Sequence, residues 1–529
     1  MKQNLTAREL RPVTVSLCKK GNYQDASKIV ISFIEVGYVD FEAASMCMEA
    51  ARNQNDAPQM AEISNAAVKI APKNWKSWQL RYQAQHADSL WQDALYSLQR
   101  IAKLTDNLNS EHYLAKAETY LRLLQHEKAL EQLEAVERLN EASSESRYHL
   151  LKATIYFQQK KIDEVLSELP DWLEKASPDQ YVSGAWKILG RCFDNLGLYD
   201  QAFSALEKGN SMRASLEGRR VSDNTIRRRV EIFRTIFVPE WVEKWSHVES
   251  PRNTPVFMLG FPRSGTTLLE QIVDSHHGVQ AMEEPPTMST VLRQATALMQ
   301  GRAMVDGKLR QCSSWKSQWL TVMDYIKDLT QEQVGSLRKT YFQVAEKEVQ
   351  LDPAKLLVEK MPLDTVDIGL ILRLFPDARF VVSLRHPADC ILSGYMQSFK
   401  MNDGMANFLD LDNAASFYKH VMKLLWQYED VFDLKDRMHY VRYEDLVMDL
   451  EGEARKVLDF MGLHWDSDVL NYDEHAKRRG TLATPSYQGV TQKIYSTSKG
   501  RWRNYAKWME PVLPHFREAA ERYGYDLSP

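Results

Sequence analysis

The sequence predicts two regions of different fold class: an all-α superhelix of helical repeats, and then an α/β region built on a parallel sheet. The first 210 or so residues have helical periodicity and few strand signals. From Thr254 onwards, short apolar runs rich in β-branched residues alternate with helical patterns, which is typical of parallel βαβ units. We therefore predict helical repeats over residues 1–215, a basic helical connector over 216–250 and the α/β region over 251–529.

The composition is that of a globular protein without a strong overall charge. Hydrophobic residues make up 44% of the 529 residues, charged residues make up 26%, and the net charge is −4. This balance argues against nucleic acid as a partner, so a site for an anion requires a local concentration of basic residues. No apolar stretch reaches the roughly 18 residues of a membrane span, and the first residues have no apolar signal-peptide core. We expect a cytoplasmic protein without a membrane span.

The cysteines are expected to be reduced and mostly buried thiols. They are odd in number, scattered and without a C-x-x-C pair, which argues against a disulfide framework and against a metal site. The five are Cys18, Cys47, Cys192, Cys312 and Cys390.

A recurring small residue identifies the helical repeats. Its positions, at intervals of 35, 33, 35, 36 and 37 residues, are Ala26, Ala61, Ala94, Ala129, Val165 and Ala202. An aromatic residue precedes the position by three in several repeats, as Tyr23, Trp91 and Tyr199 do. Small residues allow two helices to approach closely, and the aromatic ring fills the groove between successive pairs.

This pattern resembles a degenerate tetratricopeptide array of about five or six units. Pro58, His126 and Ile162 stand at the aromatic position in three of them, which is the degeneracy. The alternative is an irregular helical bundle with chance spacing. An array of this kind supplies a concave surface, which we expect to bind a protein or peptide partner or to mediate self-association.

The strongest chemical signal in the α/β region is the loop "GFPRSGTT" at residues 260–267, directly after the first apolar run. Its two glycines allow backbone N–H groups to converge on an anion at the N-terminus of the next helix. Arg263 adds a fork of donors, and Ser264, Thr266 and Thr267 add hydroxyls. In the G-x-x-x-x-G-K-[ST] loop a lysine reaches the β/γ-phosphates, and here Thr266 stands in its place. The loop is predicted to bind a phosphate-like anion without that lysine.

Three further apolar runs end in residues that suit an anionic ligand. Parallel sheets bind ligands at the carboxyl ends of their strands, so these ends are candidates for one site. The run "KLLVEKMP" contains Lys360 at its end, and "ARFVVSLRHP" ends at Arg385, with Ser393 on the helix that follows. The run "RMHYVRYEDL" ends at Tyr443, an aromatic residue on which a base can stack.

The chain is locally basic near its C-terminus. Residues 475–509 contain eight lysines and arginines and no acidic residue. Within "TSKGRWRNYAKW", cations and aromatic rings are interleaved, which suits a nucleotide that carries several phosphates. The alternative for this segment alone is a solvated basic helix face.

Together, four ordered motifs over roughly residues 251–515 resemble the sulfotransferases that use 3′-phosphoadenosine 5′-phosphosulfate (PAPS). The segment "FPRSGTTLLEQIVDSHHGVQAMEE" is similar to their 5′-phosphosulfate loop, "RFVVSLRHPADCILSGY" to their 3′-phosphate motif, and "YVRYEDLV" and "KGRWRNY" to two further landmarks. With its repeats the chain resembles tetratricopeptide-repeat sulfotransferases, and its catalytic half resembles protein-tyrosine sulfotransferases. The resemblance implies the P-loop-type sulfotransferase fold, PAPS as donor, adenosine 3′,5′-bisphosphate as product, and no metal.

The resemblance also assigns roles to residues of this chain. It implies that Arg385 and Ser393 contact the 3′-phosphate and that Tyr443 lies near the adenosine. The segment that closes over the nucleotide would be Lys499, Gly500 and Arg501. The 5′-phosphosulfate would be bound by Arg263, Ser264, Gly265, Thr266 and Thr267. The resemblance makes Glu284 the catalytic base, with Lys360 and Arg263 as cations that stabilise the leaving phosphate. Gln397 departs from the pattern, because the tyrosine enzymes carry a further 3′-phosphate arginine there; Lys400 or the basic C-terminal segment would have to compensate.

The expected reaction is in-line transfer of a sulfuryl group to an acceptor hydroxyl, on a protein or peptide tyrosine or on another O-acceptor. A histidine is an alternative base, as in cytosolic sulfotransferases of small molecules, and the candidates are His276, His277 and His420. A P-loop kinase or NTPase is a second alternative, which would need the loop lysine and a strand-end carboxylate for magnesium. A tetratricopeptide adaptor with an inactive nucleotide domain is the third.

Overall fold

The computed structural model describes residues 6–53, 56–139, 145–222, 224–305, 315–479 and 499–529. The chain divides into two compact units, Met1–Cys192 and Phe193–Pro529. Within the described ranges, no helix is both long and apolar enough to cross a bilayer. Cys312 and residues 480–498 of the basic C-terminal segment lie outside the described residues.

The first unit is built from helices joined by short turns, which confirms the predicted all-α region. Successive helices pack in pairs, such as the fifth on the sixth and the seventh on the eighth. The helices are α1 Ala7–Lys19, α2 Tyr23–Glu35, α3 Phe41–Asn53, α4 Ala57–Ile70, α5 Trp75–Ala87, α6 Trp91–Leu104, α7 Ser110–Arg122, α8 His126–Leu139, α9 Glu145–Gln158, α10 Ile162–Leu173 and α11 Gln180–Asn195.

The small residue of each repeat lies on the second helix of its pair. Ala26, Ala94, Ala129 and Val165 belong to α2, α6, α8 and α10, and all four are buried. Ala61 has the equivalent place on α4 and is half-buried. The sequence register therefore marks the positions at which paired helices approach each other.

A residue with a left-handed backbone precedes five of the six register positions by five. These residues are Gly21, Ser89, Leu124, Lys160 and Gly197, with φ values of 80°, 58°, 57°, 62° and 73°. Glycine adopts this conformation without steric cost, whereas other residues lose about 1–2 kcal/mol. The turn between paired helices thus keeps one geometry in repeats that have glycine and in repeats that do not.

Lys160→Gly is expected to stabilise the chain by about 1 kcal/mol relative to Lys160→Ala, because both variants remove the same exposed side chain and only glycine relieves the left-handed backbone. Calorimetric unfolding of the full chain measures the difference. Gly21→Ala is the control of opposite sign, since no atom lies within 4 Å of a Cβ at Gly21 and only the backbone changes. Equal stability of the two Lys160 variants would contradict this account.

The second unit begins with the residues predicted to close the repeat array. Helix α12 (Tyr199–Glu217) packs inside this unit: the Phe203 ring stacks on Trp508 at 4.5 Å between centroids, and Asn210 Nδ2 donates to the Tyr395 carbonyl at 3.0 Å. The compact units therefore divide at Cys192, whereas the periodicity places the boundary at residue 215. The aromatic and small residues of a repeat can pack against another repeat or against a different domain, so their pattern does not distinguish the two.

A five-stranded parallel sheet forms the centre of the second unit, which confirms the predicted α/β fold. The strand order is β2-β3-β1-β4-β5, and every neighbouring pair is parallel. Four strands coincide with the predicted apolar runs; β2, at the edge of the sheet, is not among them. The strands are β1 Val256–Gly260, β2 Val279–Glu283, β3 Leu356–Lys360, β4 Arg379–Leu384 and β5 Met438–Arg442.

Helices connect and cover the strands. The α-helices of this unit after α12 are α13 Arg219–Ser222, α14 Thr225–Ile236, α15 Pro239–Val242, α16 Thr266–Asp274, α17 Thr287–Val305, α18 Trp315–Lys327, α19 Gln331–Glu348, α20 Ile368–Leu374, α21 Pro387–Tyr395, α22 Leu411–Val431, α23 Tyr443–Met448, α24 Leu450–Met461, α25 Tyr472–Arg479, α26 Ala506–Met509 and α27 Arg517–Tyr523.

The alternation of side chains along the strands creates two cores. Phe257 and Leu259 of β1 pack on one face of the sheet with α19, α20 and α22, and Val256 and Met258 pack on the other face with α16 and α24. All five residues of β1 are buried, as expected for a strand at the centre of a parallel sheet. This burial on both faces explains why the strand has an almost continuous apolar sequence.

Candidate active site

The candidate residues lie at the carboxyl edge of the sheet. In the parallel register, Lys360 at the end of β3 is opposite Met258 of β1 and Glu283 of β2. Ser383, near the end of β4, is opposite Gly260 at the end of β1. The residues that follow these positions therefore emerge at one edge, where parallel α/β sheets bind their ligands.

The loop between β1 and α16 is held in a strained conformation. Arg263 has a φ of 72°, which costs a non-glycine residue about 1–3 kcal/mol and persists only where the surroundings fix it. Arg385 Nη1 donates to the Arg263 carbonyl at 3.2 Å, and Ser383 Oγ donates to the Ser264 carbonyl at 2.9 Å. Hydrogen bonds from β4 and the residue after it thus fix the loop.

The loop offers the donors that an oxyanion requires. Ser264 Oγ is buried and has no hydrogen-bond partner among the described residues. Gly265 caps α16 with a φ of 100°, and the first N–H groups of a helix have no partner within the helix and carry its positive dipole end. A Cβ at Gly265 would lie 2.7 Å from the Tyr443 ring, so only glycine fits at this contact. These features fit a phosphate or sulfate group.

A connected cluster joins the loop to the ends of β4 and β5. Arg263 Nε donates to Ser393 Oγ on α21 at 3.1 Å. The Arg385 guanidinium lies 4.9 Å from the centre of the Tyr443 ring, which also contacts Gly265. The structure therefore brings together residues that the sequence assigned to the 5′-phosphosulfate, to the 3′-phosphate and to the adenosine of the nucleotide. Gln397, one turn beyond Ser393, is half-buried.

Lys360 and Glu284 form an ion pair beside this loop. Lys360 Nζ donates to Glu284 Oε1 at 2.8 Å and lies 3.6 Å from Glu283 Oε1. The Lys360 side chain is 0% exposed, whereas that of Glu284 is 39% exposed. Burial by itself lowers the pKa of Lys360, but Glu284, Glu283 and Glu270 outweigh it and raise the pKa above its ordinary value. Lys360 is therefore a permanent cation beside a carboxylate that solvent can reach.

Asp389 fastens the C-terminal segment to α21. Its Oδ2 accepts the Gly500 N–H at 2.7 Å and its Oδ1 accepts the Trp502 N–H at 2.9 Å. Gly500 has a φ of 70°, and the Trp502 ring stacks on His386, the residue before α21. Gly500 is thus held near the end of β4.

The side chains on either side of Gly500 point to different partners. Arg501 forms an ion pair with Asp194, and Asp194 also accepts the Tyr505 hydroxyl at 2.7 Å. Lys499 is exposed, with its Nζ 3.6 Å from the Met448 sulfur. In this structure Arg501 therefore anchors the segment to the residues that precede α12.

The candidate histidines lie apart from the carboxylate–lysine pair. His276 and His277 connect the end of α16 to the start of β2, at the amino edge of the sheet. Both ring nitrogens of His276 are engaged: Nδ1 accepts the Gly278 N–H at 3.0 Å, and Nε2 lies 2.9 Å from the His464 carbonyl. His420 Nδ1 lies 2.7 Å from a backbone carbonyl of its own helix. Among the described residues, no hydrogen bond joins these three rings to Glu284 or Lys360.

Glu359, next to Lys360 on β3, is a buried carboxyl group that sequence reasoning did not single out. The Thr287 and Tyr341 hydroxyls both donate to its carboxylate, which the strand alternation places on the face of β3 opposite Lys360. Burial raises the pKa of Glu359 to about 7, while the two hydrogen bonds act to lower it. The available signal was a glutamate inside the apolar run "KLLVEKMP".

Comparison with known proteins agrees with this geometry. Residues 255–467 match the model of a family described as the sulfotransferase family. This part of the chain is therefore similar to sulfotransferase domains. The solved sulfotransferase domain of the Synechococcus PCC 7002 olefin synthase aligns with 54% of this chain and 100% of its own length, at 23% identity and a TM-score of 0.34.

The relatives that match this chain have different names. An uncharacterized protein of Aquifex aeolicus is 28% identical over 367 residues, which are 69% of this chain and 45% of that protein. A protein-tyrosine sulfotransferase of Drosophila melanogaster is 27% identical over 41% of this chain and 40% of its own length. The omega-hydroxy-beta-dihydromenaquinone-9 sulfotransferase Stf3 of Mycobacterium tuberculosis is 24% identical over 51% of this chain and 75% of its own. The chain spans less than half the length of the first two relatives.

Replacing Glu359 by glutamine is expected to change how stability depends on pH. The pKa of this carboxyl rises from 4.5 to about 7 on folding, so its contribution to stability is present below pH 4.5 and is lost as the pH rises through 7. Glu359→Gln should therefore gain stability over the wild type between pH 5 and pH 8, by up to about 3 kcal/mol. Urea unfolding at several pH values measures this. A difference that is constant with pH would contradict the assignment.

Proposed function

We propose that the second unit transfers a sulfuryl group from PAPS to an acceptor hydroxyl. The proposal is carried by one observation: a carboxylate that solvent can reach, Glu284, is paired at 2.8 Å with the fully buried cation Lys360. This pair lies at the sheet edge where the loop at residues 260–267 offers oxyanion donors. A base, a fixed cation and an anion-binding loop are the parts that transfer of a sulfuryl group requires.

The donor is inferred from the loop and its neighbours. A phosphosulfate carries sulfate at the β position and no γ-phosphate, so it gives a loop lysine nothing to reach; Thr266 occupies that position. The cation is supplied instead by Lys360, on the strand next to β1. Arg385 and Ser393, which are joined to the loop through Arg263, would hold the 3′-phosphate, and the Tyr443 ring would contact the adenine.

The residues of the chain divide the chemistry between them. In an in-line transfer, a bond forms between the acceptor oxygen and sulfur while the bond from sulfur to the bridging oxygen of the 5′-phosphate breaks. Glu284 accepts the proton of the acceptor hydroxyl. Lys360, Arg263 and the N–H groups at the start of α16 stabilise the charge that develops on the leaving phosphate. No metal ion is needed for this division, since fixed cations take the role of magnesium.

The kinase alternative is less well supported by the described residues. The acidic residues at the end of β5 are engaged: the Glu444 carboxylate accepts the His386 N–H at 2.8 Å and the Tyr525 hydroxyl at 3.2 Å. Asp445 lies 3.7 Å from Arg442. A magnesium-binding carboxylate at that strand end would have to give up these partners. The inactive-adaptor alternative predicts binding of nucleotide without turnover, which the measurements below test.

We further propose that the acceptor is a hydroxyl group on a protein or peptide, with tyrosine as the first candidate. The helical unit is proposed to bind a protein partner or a second copy of this chain. The tyrosine assignment rests on the name of the Drosophila relative, and the name of Stf3 makes a lipid hydroxyl the competing acceptor. Incubation with labelled PAPS and separate protein, lipid and glycan fractions, followed by mass spectrometry for an added sulfuryl group, distinguishes them. Label confined to the lipid fraction would overturn the protein acceptor.

Arg385→Ala is expected to weaken binding of adenosine 3′,5′-bisphosphate by roughly 10–100-fold and to weaken binding of adenosine 5′-phosphate much less, because only the first carries the 3′ group, whereas both depend on the loop that Arg385 helps to fix. Titration calorimetry without added metal measures both. Gln397→Arg is the matched gain of function, since it adds a guanidinium one turn beyond Ser393 and should tighten the bisphosphate alone. Equal losses for the two nucleotides in Arg385→Ala would contradict the 3′ assignment.

Glu284→Gln is expected to lower kcat by roughly 10²–10⁴-fold, because the amide cannot accept the proton of the acceptor. Its affinity for adenosine 3′,5′-bisphosphate should stay near that of the wild type. His277→Ala and His420→Ala serve as controls and should keep their turnover within a few-fold. Full turnover in Glu284→Gln, with loss in a histidine variant, would show that the base is misassigned.

A further inference from the structure

The segment from Glu284 to Thr287 is fastened at both ends to two consecutive residues of β3. At its start, the Glu284 N–H donates to the Lys360 carbonyl at 2.8 Å, and Glu284 Oε1 accepts from Lys360 Nζ at the same distance. At its end, the Thr287 hydroxyl donates to the Glu359 carboxylate. The pair Glu359–Lys360 thus holds the carboxylate proposed as the base and the first residue of the helix behind it.

The chain between the two attachments is stiff. Pro285 and Pro286 have fixed φ angles, and each restricts the residue before it. Glu284 itself has a φ of 51°, a conformation that a non-glycine residue keeps only under constraint from its surroundings. A shift of Thr287 is therefore transmitted through two rigid residues to Glu284 rather than absorbed between them.

Glu359 is a buried carboxyl group whose two hydrogen-bond donors lie on different parts of the chain. Glu359 is 1% exposed, and its two donors, Thr287 and Tyr341, are fully buried. A buried carboxyl group is costly unless hydrogen bonds compensate for the loss of water, and these two hydroxyls supply them. The two donors differ in position: Thr287 is on the segment that carries Glu284, whereas Tyr341 is on α19 and has no part in that segment.

We propose that Glu359, acting through Thr287, is a positioning residue that sets the orientation of the Glu284 carboxylate toward the acceptor. The inference rests on the proposed function, in which Glu284 takes the acceptor proton. Loss of the Thr287 hydroxyl removes the side-chain attachment of the segment to Glu359 and leaves only its continuation into α17, so the direction of Glu284 is less firmly held. The nucleotide contacts are on another loop and on β4, α21 and α23, so binding of the nucleotide is unaffected.

Thr287→Val is the decisive variant, because it keeps the shape of the side chain and removes only the hydroxyl. We expect kcat with PAPS and N-acetyltyrosinamide to fall roughly 10–100-fold, as a displacement of about 1 Å does elsewhere. The KM for PAPS and the affinity for adenosine 3′,5′-bisphosphate should remain within twofold. Thr287→Ser restores the hydroxyl and should restore turnover.

Tyr341→Phe is the matched control. It removes the other hydrogen bond to the same carboxylate and leaves the segment attached through Thr287. If Glu359 acts only as part of the core, Tyr341→Phe and Thr287→Val should reduce turnover equally. If it positions Glu284, Thr287→Val should reduce turnover at least several-fold more. Equal effects, or a loss of nucleotide binding in Thr287→Val, would overturn the proposal.

Hydrogen exchange at the Glu284 amide supplies a measurement that does not depend on activity. This N–H donates to the Lys360 carbonyl, so it should exchange faster in Thr287→Val and at the wild-type rate in Thr287→Ser and Tyr341→Phe. Unchanged exchange together with unchanged turnover overturns the positioning role. Faster exchange in Thr287→Val, in a protein that transfers no sulfuryl group to any acceptor, supports the positioning role and refutes the proposed function instead.

A second variant covers the case in which Thr287→Val fails to fold. Glu359→Gln keeps the shape of the side chain and one acceptor oxygen. It should lower kcat and accelerate exchange at Glu284 relative to the wild type, again without change in nucleotide affinity. Wild-type turnover and wild-type exchange in Glu359→Gln would overturn the proposal.

Discussion

The buried ammonium of Lys360 is the constraint on which the rest of the site depends. Desolvating such a group costs several kcal/mol unless opposite charges surround it. Glu283, Glu284 and Glu270 do so, from β2, from the residue after β2 and from α16. The edge strand β2 is therefore more than a border of the sheet: it delivers two carboxylates to the end of β3 in parallel register. The ammonium group of Lys360 therefore stays charged and keeps its position at the end of β3.

Backbone strain has different meanings in the two units. Ser89, Leu124 and Lys160 adopt left-handed conformations at repeat turns where glycine also occurs, so their strain follows from helix pairing alone. Arg263 and Glu284 are also left-handed, but each is fixed by hydrogen bonds from a different strand or the residue after it. The convergence of distant donors and acceptors on a strained residue distinguishes the site from the turns. A positive φ by itself does not.

Local signals predicted most of the fold. Four strands and the helical register depend on periodicity and on small residues, both of which are visible within a few residues. The edge strand β2 was missed because "VQAME" mixes apolar and polar residues without a strong apolar bias, and some of its residues are only half-buried. The contacts of Glu359 with Thr287, and of Arg501 with Asp194, join residues 72 and 307 positions apart, respectively. Pattern reasoning on one sequence has no access to such pairs, and a charged residue in an apolar run was the only hint of the first.

The absence of a lysine after the second glycine of the loop also has a packing reason. Thr266 is buried, and its methyl group lies 3.2 Å from the place of a Cβ at Gly260. A longer side chain at position 266 would have little space beside Gly260. A lysine on a helix also moves with its four-carbon stem, whereas Lys360 is fixed by burial and by three carboxylates. In-line transfer depends on the alignment of three atoms, so a cation of fixed position suits it better than a mobile one. The same strand carries Glu359 on its opposite face, so the dipeptide Glu359–Lys360 contacts both the Glu284 carboxylate and the first residue of α17.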